Sequence, residues 1–220
     1  MSNPTFTVID DFLGEEDWGT LWNEFQFMEL HPVSRTVGAW KMDDGVPLGG
    51  LEIVTPRREA ELVHDPAKPQ VYPSNTAIDA VITNVLAESE THCKIVGEDW
   101  QRISARAYVY PHETGLSWHR DDSELYTGAF IYYAHPHWNA HWGGELLVAD
   151  ETDEDLSIMA YRFENEAYSE ALLERGMGRF IMPKPNRLVL IGGAPHAVAP
   201  VSTAAGQNVR ASVSGFFLRD

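Results

Sequence analysis

The chain has 220 residues, 44% of them hydrophobic and 22% charged, the make-up of a folded globular protein with a sizeable core. Acidic side chains number 33 against 16 Lys and Arg, a formal charge of −17 with no basic cluster, which argues against nucleic acid and anionic membranes as partners. Its single cysteine, Cys93, rules out an intrachain disulfide and Cys-based zinc clusters, and is expected to be a partly buried structural thiol. Met1 to Leu13 carries no basic segment followed by an apolar stretch, and no apolar run is long enough to cross a bilayer, so the expected location is cytoplasmic. The acid excess keeps the surface solvated and biases long-range attraction toward cations.

In chain order, Thr5 to Ile9 alternates as a short strand, and Asp10 to Gly14 follows as a turn. Trp18, Leu21, Trp22, Phe25 and Met28 then recur at spacings of three and four, which predicts an amphipathic helix over Glu15–Met28 with these side chains in the core. Residues 31–75 are rich in Pro and Gly and read as loops with one or two short strands, such as Thr36–Met42. Ser74 is the expected N-cap of a second helix running through Ile78, Val81, Ile82 and Val85 to about Ser89.

From Ile103 the texture changes to short β-rich runs separated by turn residues: Ser104–Tyr110, Leu116–His119, Thr127–Ala134, Gly144–Ala149, Gly178–Met182, Arg187–Ile191 and Val209–Leu218. Between Asp150 and Gly176 lies an acidic insertion with a short helix expected near Tyr168–Glu174. Without repeats or a linker, residues 1–220 read as one domain, with a helix-rich part over about 1–100 and an antiparallel core over about 101–220. The fold class expected is mainly β with flanking helices, a jelly roll or double-stranded β-helix.

Chemistry concentrates in three places. In Trp118-His119-Arg120-Asp121 the two-residue alternation of a strand sends His119 and Asp121 to one face and Arg120 to the other. His196, after the apolar run Leu188–Ile191 and two glycines, is the best third ligand. Two imidazoles and a carboxylate on one face of a metal leave positions open for a co-substrate and oxygen, which suits iron(II); zinc is the rival metal. Taken alone, His-x-Asp is also what a surface pair or a hydrogen-bonded core histidine looks like. Arg210 and Ser212 share a strand face, with Val209, Ala211 and Val213 on the other. An inward Arg requires a partner, either an internal Asp or Glu or a bound dicarboxylate gripped in a forked pair.

The ordered set His-x-Asp, distal His and Arg-x-Ser resembles the signature of the iron(II)/2-oxoglutarate-dependent oxygenases, and specifically their prolyl-4-hydroxylase-like branch. Tyr110-Pro111, Ile131-Tyr132-Tyr133, Trp138, Trp142-Gly143-Gly144-Glu145-Leu146 and Asn186-Arg187-Leu188-Val189-Leu190 strengthen that likeness, which spans about residues 103–218. The resemblance implies that His119, Asp121 and His196 hold Fe(II) and that 2-oxoglutarate chelates it, with its far carboxylate on Arg210 supported by Ser212. It also implies that Tyr110 and Tyr133 stand beside 2-oxoglutarate; cross-strand packing is the alternative role for both. O2 is the other co-substrate implied, and ascorbate an optional reductant. The implied reaction decarboxylates 2-oxoglutarate to succinate and hydroxylates an unactivated C–H bond. Halogenating relatives replace the carboxylate at the position of Asp121 by a small residue, so Asp121 points to hydroxylation.

Three functions stand against one another: hydroxylation of a small molecule such as an amino acid or natural-product scaffold, favoured by the compact length; hydroxylation of a prolyl or other residue in a peptide; and a non-oxygenase, cupin-like jelly roll. A nucleic-acid demethylase fits poorly, because Ser214 and Phe216 stand where that branch carries a further Arg. His135, His137 and His141 form either a second metal site or the polar residues of a turn. Specificity is expected in Arg35–Pro73 and Asp150–Met177, and the oligomeric state is left open, a homodimer included.

Overall fold

The computed structural model describes residues 5–33, 43–56, 70–121, 125–150, 173–174 and 177–219. Its elements in order are β1 (Phe6–Asp10), α1 (Glu15–Phe25), β2 (His31–Pro32), β3 (Asp43–Asp44), β4 (Leu48–Gly49), β5 (Ile53–Pro56), β6 (Gln70–Val71), α2 (Ile78–Thr91), α3 (Cys93–Val96), β7 (Arg102–Tyr110), β8 (Gly115–His119), β9 (Tyr126–Tyr133), β10 (Leu146–Ala149), β11 (Gly178–Ile181), β12 (Arg187–Ile191), β13 (His196–Val198) and β14 (Arg210–Leu218). A 3-10 turn, Thr203–Ala205, precedes β14.

Two antiparallel sheets form the jelly roll expected from the β-rich runs. The larger runs β1-β12-β9-β14-β7-β4-β2, with β5 also on β7 and β6 on β5; the smaller runs β11-β10-β13-β8-β3. Every pairing is antiparallel except β5 with β6. Side-chain alternation divides the interior in two. Ala211, Val213 and Phe217 of β14, Phe130 and Tyr132 of β9, and Ala105, Ala107 and Val109 of β7 face α1 and α2 in one apolar cluster. Tyr133, Ile131 and Ala129 of β9 and Tyr110 of β7 face the smaller sheet, where Leu146, Val148 and Val198 meet them.

Helix α1 stops at Phe25, one turn earlier than the periodicity suggests, because Phe27 N–H donates to Glu24 O at 3.0 Å and tightens the chain into a turn. Met28 still packs on the helix-side core. Ser74 is not the N-cap of α2: that position belongs to Ala77, whose backbone N–H donates to Glu24 Oε2 at 2.6 Å. Ser74 instead donates through its hydroxyl to Asp79 Oδ1 at 2.7 Å, closing the turn before the helix. A cap is worth about 1 kcal/mol, whereas Val81, Ile82 and Val85 are fully buried and contribute about 1.5–3 kcal/mol each, so packing holds α2. The strand β13, only three residues long, and the short strands β2 to β6 were not legible as separate runs. The strand expected over Thr36–Met42 lies outside the described residues, as does the acidic insertion except Asp150 and the helical pair Leu173–Glu174. Cys93 is a half-buried free thiol at the start of α3. No helix among the described residues is long and apolar enough to cross a membrane.

Asn186 ties the N-terminal segment to the large sheet. Held at φ 56°, it accepts from Leu13 N–H and from Tyr132 Oη, both at 2.9 Å, and donates through Nδ2 to Leu13 O at 2.9 Å. Burial raises the Tyr132 phenol well above its ordinary range, so it acts here as a neutral donor. Asn186→Ala leaves three buried groups unpaired at about 1–3 kcal/mol each, and the expected loss of about 3 kcal/mol is read from the urea midpoint. On the surface, Asp10 pairs with Arg187 Nε at 2.7 Å and Lys184 Nζ at 3.1 Å, and the Arg187 hydrogen bond pulls its pKa down from 3.8 to about 2. A depressed carboxyl stabilises the folded chain above its unfolded pKa, and that contribution disappears as pH falls through the folded value. The difference in urea midpoint between wild type and Asp10→Asn is therefore expected to be present at pH 6 and to close toward pH 2.

Candidate metal centre and anion clamp

His119 is the last residue of β8 and His196 the first of β13, and the two are direct partners in the antiparallel register. Their rings lie 4.2 Å apart between centroids. Asp121 lies just past the end of β8, so strict strand alternation does not position it, yet its carboxylate reaches the same point: Oδ2 is 3.1 Å from His196 Nε2 and 3.7 Å from His119 Nε2. One ligand atom from each residue falls within 4.8 Å of the others, and all three side chains are buried. Arg120, between the two, is half-buried.

Tautomers follow from the backbone. His119 Nδ1 is 2.7 Å from Ser117 O and His196 Nδ1 is 2.9 Å from Ala194 O, contacts that require N–H at Nδ1 and, in the neutral ring, put the lone pair at Nε2. Two lone pairs and a carboxylate oxygen at such separations repel unless positive charge lies between them. Ligand bonds of 2.0–2.2 Å put neighbouring ligand atoms about 3 Å apart, so the donor set fits a divalent metal, iron and zinc alike.

Arg210, the first residue of β14, is 2% exposed. Its Nε donates to Gly144 O at 2.9 Å, and its guanidinium lies over the rings of Tyr133, at 4.9 Å, and Tyr110, at 5.5 Å. Tyr133 Oη is 3.5 Å from Arg210 Nη2. Gly144, at φ 75°, makes room: a Cβ there would meet Arg210 Cδ at 3.0 Å. Among the described residues no Asp or Glu forms an ion pair with Arg210, so the internal salt bridge that the sequence left open is not among the contacts seen. Ser212, 1% exposed, is on the same face, opposite Tyr108 on one side and Tyr133 on the other. The structure thus brings Arg210, Ser212, Tyr110 and Tyr133 together on the inner face of the large sheet.

The histidine-rich turn does not converge on a metal in the same way. His135, 1% exposed, has Nδ1 3.1 Å from Ala211 O of β14 and Nε2 2.8 Å from Pro183 O in the loop after β11, and burial pushes its pKa down to about 4, so it is a neutral ring that donates to one of the two carbonyls. His137 packs edge-on against Trp142 at 5.3 Å. Gly144, whose carbonyl orients Arg210, was readable only as part of a Gly-Gly pair. At the opposite end of the inner face, Arg106, Glu52 and Tyr126 were passed over, although the alternation Ser104, Arg106, Tyr108, Tyr110 against Ile103, Ala105, Ala107, Val109 already marks a polar face.

The chain was compared with known proteins. The sequence profile of the 2OG-Fe(II) oxygenase superfamily matches residues 105–218, just over half of the chain. No curated protein sequence matches at a significant level. Among solved structures, a Pseudomonas putida prolyl-4-hydroxylase is similar at 18% identity and TM-score 0.57, covering 98% of this chain and 93% of that one. A prolyl hydroxylase from Trichoplax adhaerens, in complex with a hypoxia inducible factor peptide fragment, is similar at 17% identity and TM-score 0.60, covering 97% and 83%. HygX from Streptomyces hygroscopicus, with nickel, 2-oxoglutarate and hygromycin B bound, is similar at 10% identity and TM-score 0.61, covering 99% and 84%. At these identities the likenesses establish the fold, and the sequence profile establishes the family: the chain belongs to the 2OG-Fe(II) oxygenase superfamily and is a 2-oxoglutarate-dependent dioxygenase that uses iron(II).

Proposed function

We propose that the chain hydroxylates an unactivated C–H bond of a small molecule, with His119, Asp121 and His196 as the iron ligands and Arg210 as the anchor of 2-oxoglutarate. The net reaction turns R–H, O2 and 2-oxoglutarate into R–OH, succinate and carbon dioxide, one oxygen atom entering each organic product. The observation that carries this reading is a buried guanidinium with no acidic partner among the described residues, on the sheet face that looks toward two imidazoles and a carboxylate.

Each residue then has a task. The Nδ1–H bonds to Ser117 O and Ala194 O fix both rings so that Nε2 lone pairs converge, and Asp121 adds the negative charge that favours a divalent ion. Iron(II) and 2-oxoglutarate, when bound, supply the oxygen-activating chemistry of the family. Arg210 offers two parallel N–H groups to the far carboxylate in a site that excludes water, where a charge-assisted fork is strongest. The Gly144 carbonyl and the Tyr110 and Tyr133 rings hold that guanidinium in place, and the hydroxyls of Ser212 and Tyr133 add donors beside it. A second reading, peptidyl hydroxylation, is supported by the likeness to the Trichoplax enzyme with its bound peptide.

His119→Ala and Asp121→Ala are expected to abolish iron-dependent succinate formation in a protein that keeps its circular dichroism; full activity in either would overturn the ligand assignment. Arg210→Ala is expected to weaken 2-oxoglutarate binding by about 2–5 kcal/mol while iron binding persists. The test is an anaerobic iron(II) titration with and without 2-oxoglutarate, followed through the visible metal-to-ligand charge-transfer band. The band should require both components in wild type and fade in Arg210→Ala. Its absence from folded, metal-loaded wild type would sink the assignment.

A further inference from the structure

A second arginine lies on the same inner face, at the other end from Arg210. On β7, Arg106 is four residues from Tyr110, the cross-strand partner of Arg210, and is itself paired with Ser214. Four residues of strand put the two arginines about 13 Å apart along the sheet, too far for both to serve one five-carbon dicarboxylate. Alternation sends Arg106 inward, since Ala105 and Ala107 on either side belong to the helix-side core.

Its surroundings leave one nitrogen of the guanidinium unsatisfied. The Nη1 atom of Arg106 is fully buried and has no hydrogen-bond partner among the described residues. The one ion pair it makes among the described residues, Nη2 to Glu52 Oε2, spans 3.9 Å, beyond hydrogen-bond length, and Glu52 is 37% exposed. A buried donor left unpaired costs free energy that a native structure recovers only when something binds there. The backbone makes way for the arm: Gly49 lies alongside, where a Cβ would meet Arg106 Cδ at 3.4 Å. The same end of the inner face is tied to the metal centre through Tyr126, whose ring lies tilted against that of Phe216 at 4.9 Å and which sits in the electrostatic field of both Asp121 and Glu52.

We infer that Arg106 and Glu52 form the primary-substrate subsite, Arg106 taking a carboxylate and Glu52 a protonated amine, so that the substrate is a free amino acid or a close zwitterionic analogue. This rests on the oxygenase reading above and narrows its substrate class. The 3.9 Å gap is a separation that a zwitterion can bridge, its carboxylate on the Arg106 guanidinium and its ammonium facing Glu52. Overall charge does not oppose this class, since a chain of net charge −17 neither attracts nor repels a molecule with no net charge at long range.

The test uses the iron(II)-loaded enzyme with 2-oxoglutarate in air, a panel of the common L-amino acids, and the carboxamide of each, with succinate as the readout. At least one free amino acid is expected to stimulate succinate formation above the unstimulated rate, and its carboxamide at equal concentration is not. Arg106→Gln should raise the KM for that amino acid by about 30-fold and leave kcat and the KM for 2-oxoglutarate within about twofold. Calorimetric titration of the anaerobic protein with the same amino acid should show the matching loss of affinity. Carboxamides that work as well as free acids would overturn the subsite. So would stimulation by a terminally blocked peptide alone, or an Arg106→Gln defect in 2-oxoglutarate binding. Unstimulated succinate formation that no amino acid accelerates would overturn it while leaving the dioxygenase reading intact. Absence of both succinate and the iron–2-oxoglutarate band would overturn the two readings together.

Discussion

Arg210 enters the interior because its neighbour Ala211 and, two residues on, Val213 face the helices, and a strand allows no other arrangement for the residue between them. That alternation along β14, the strand between β7 and β9, separates two environments that cannot mix. One face is apolar and sealed by α1 and α2. The other carries Arg210, Ser212, Ser214 and Phe216 toward the small sheet. A one-residue slip of β14 against β7 would push the guanidinium into the helix-side core, and burying an unpaired charge there would cost far more than the pairing returns. The registers of β14 with β7 and with β9, the longest in the molecule, are the constraint on which the site depends.

The small sheet supplies the other half of the centre by a different device. Its strands are short, and β13 has only three residues, but the direct pairing of His196 with His119 sets two imidazoles side by side before any metal is considered. Backbone carbonyls two residues upstream of each ring fix the tautomer, so the sheet and the local turn together do what longer side-chain networks do in other metal sites. The site is therefore assembled between two sheets whose relative position is held by the cluster of Ile131, Tyr133, Leu146, Val148 and Val198. Loosening that cluster would shift the ligands on one wall relative to the arginines on the other.

Polar and apolar strips along the inner face divide the work. Near Tyr110 and Tyr133, aromatic faces and a glycine carbonyl hold one guanidinium, and no described carboxylate competes for it. Near Gly49 and Glu52, a second guanidinium has one buried nitrogen unbonded and a loose acidic neighbour. A core optimised for stability alone would not retain either. Under the proposed function and the inferred subsite, ligands arriving from solution would complete the hydrogen bonding of both.

The sequence by itself determined the local pieces. Short β-rich runs bounded by turn residues marked seven of the core strands, and the spacing of three and four marked α1 and α2, where burial on one face leaves a periodic record in the residues. His119 and Asp121 were legible through their two-residue spacing, His196 through its place after an apolar run and two glycines, and Arg210 and Ser212 through the strand face they share. Only the tertiary structure decided what these pieces meet. That Glu24 of α1, and not Ser74, satisfies the N-terminus of α2 depends on the packing of two helices far apart in sequence. That Arg210 turns to the Gly144 carbonyl, that His135 lies between Pro183 and Ala211, and that Arg106 is left with Glu52 at 3.9 Å are all relations between residues far apart in sequence. Alternation tells a side chain which face of its strand to take; the register and the distance between sheets decide which partner it finds there.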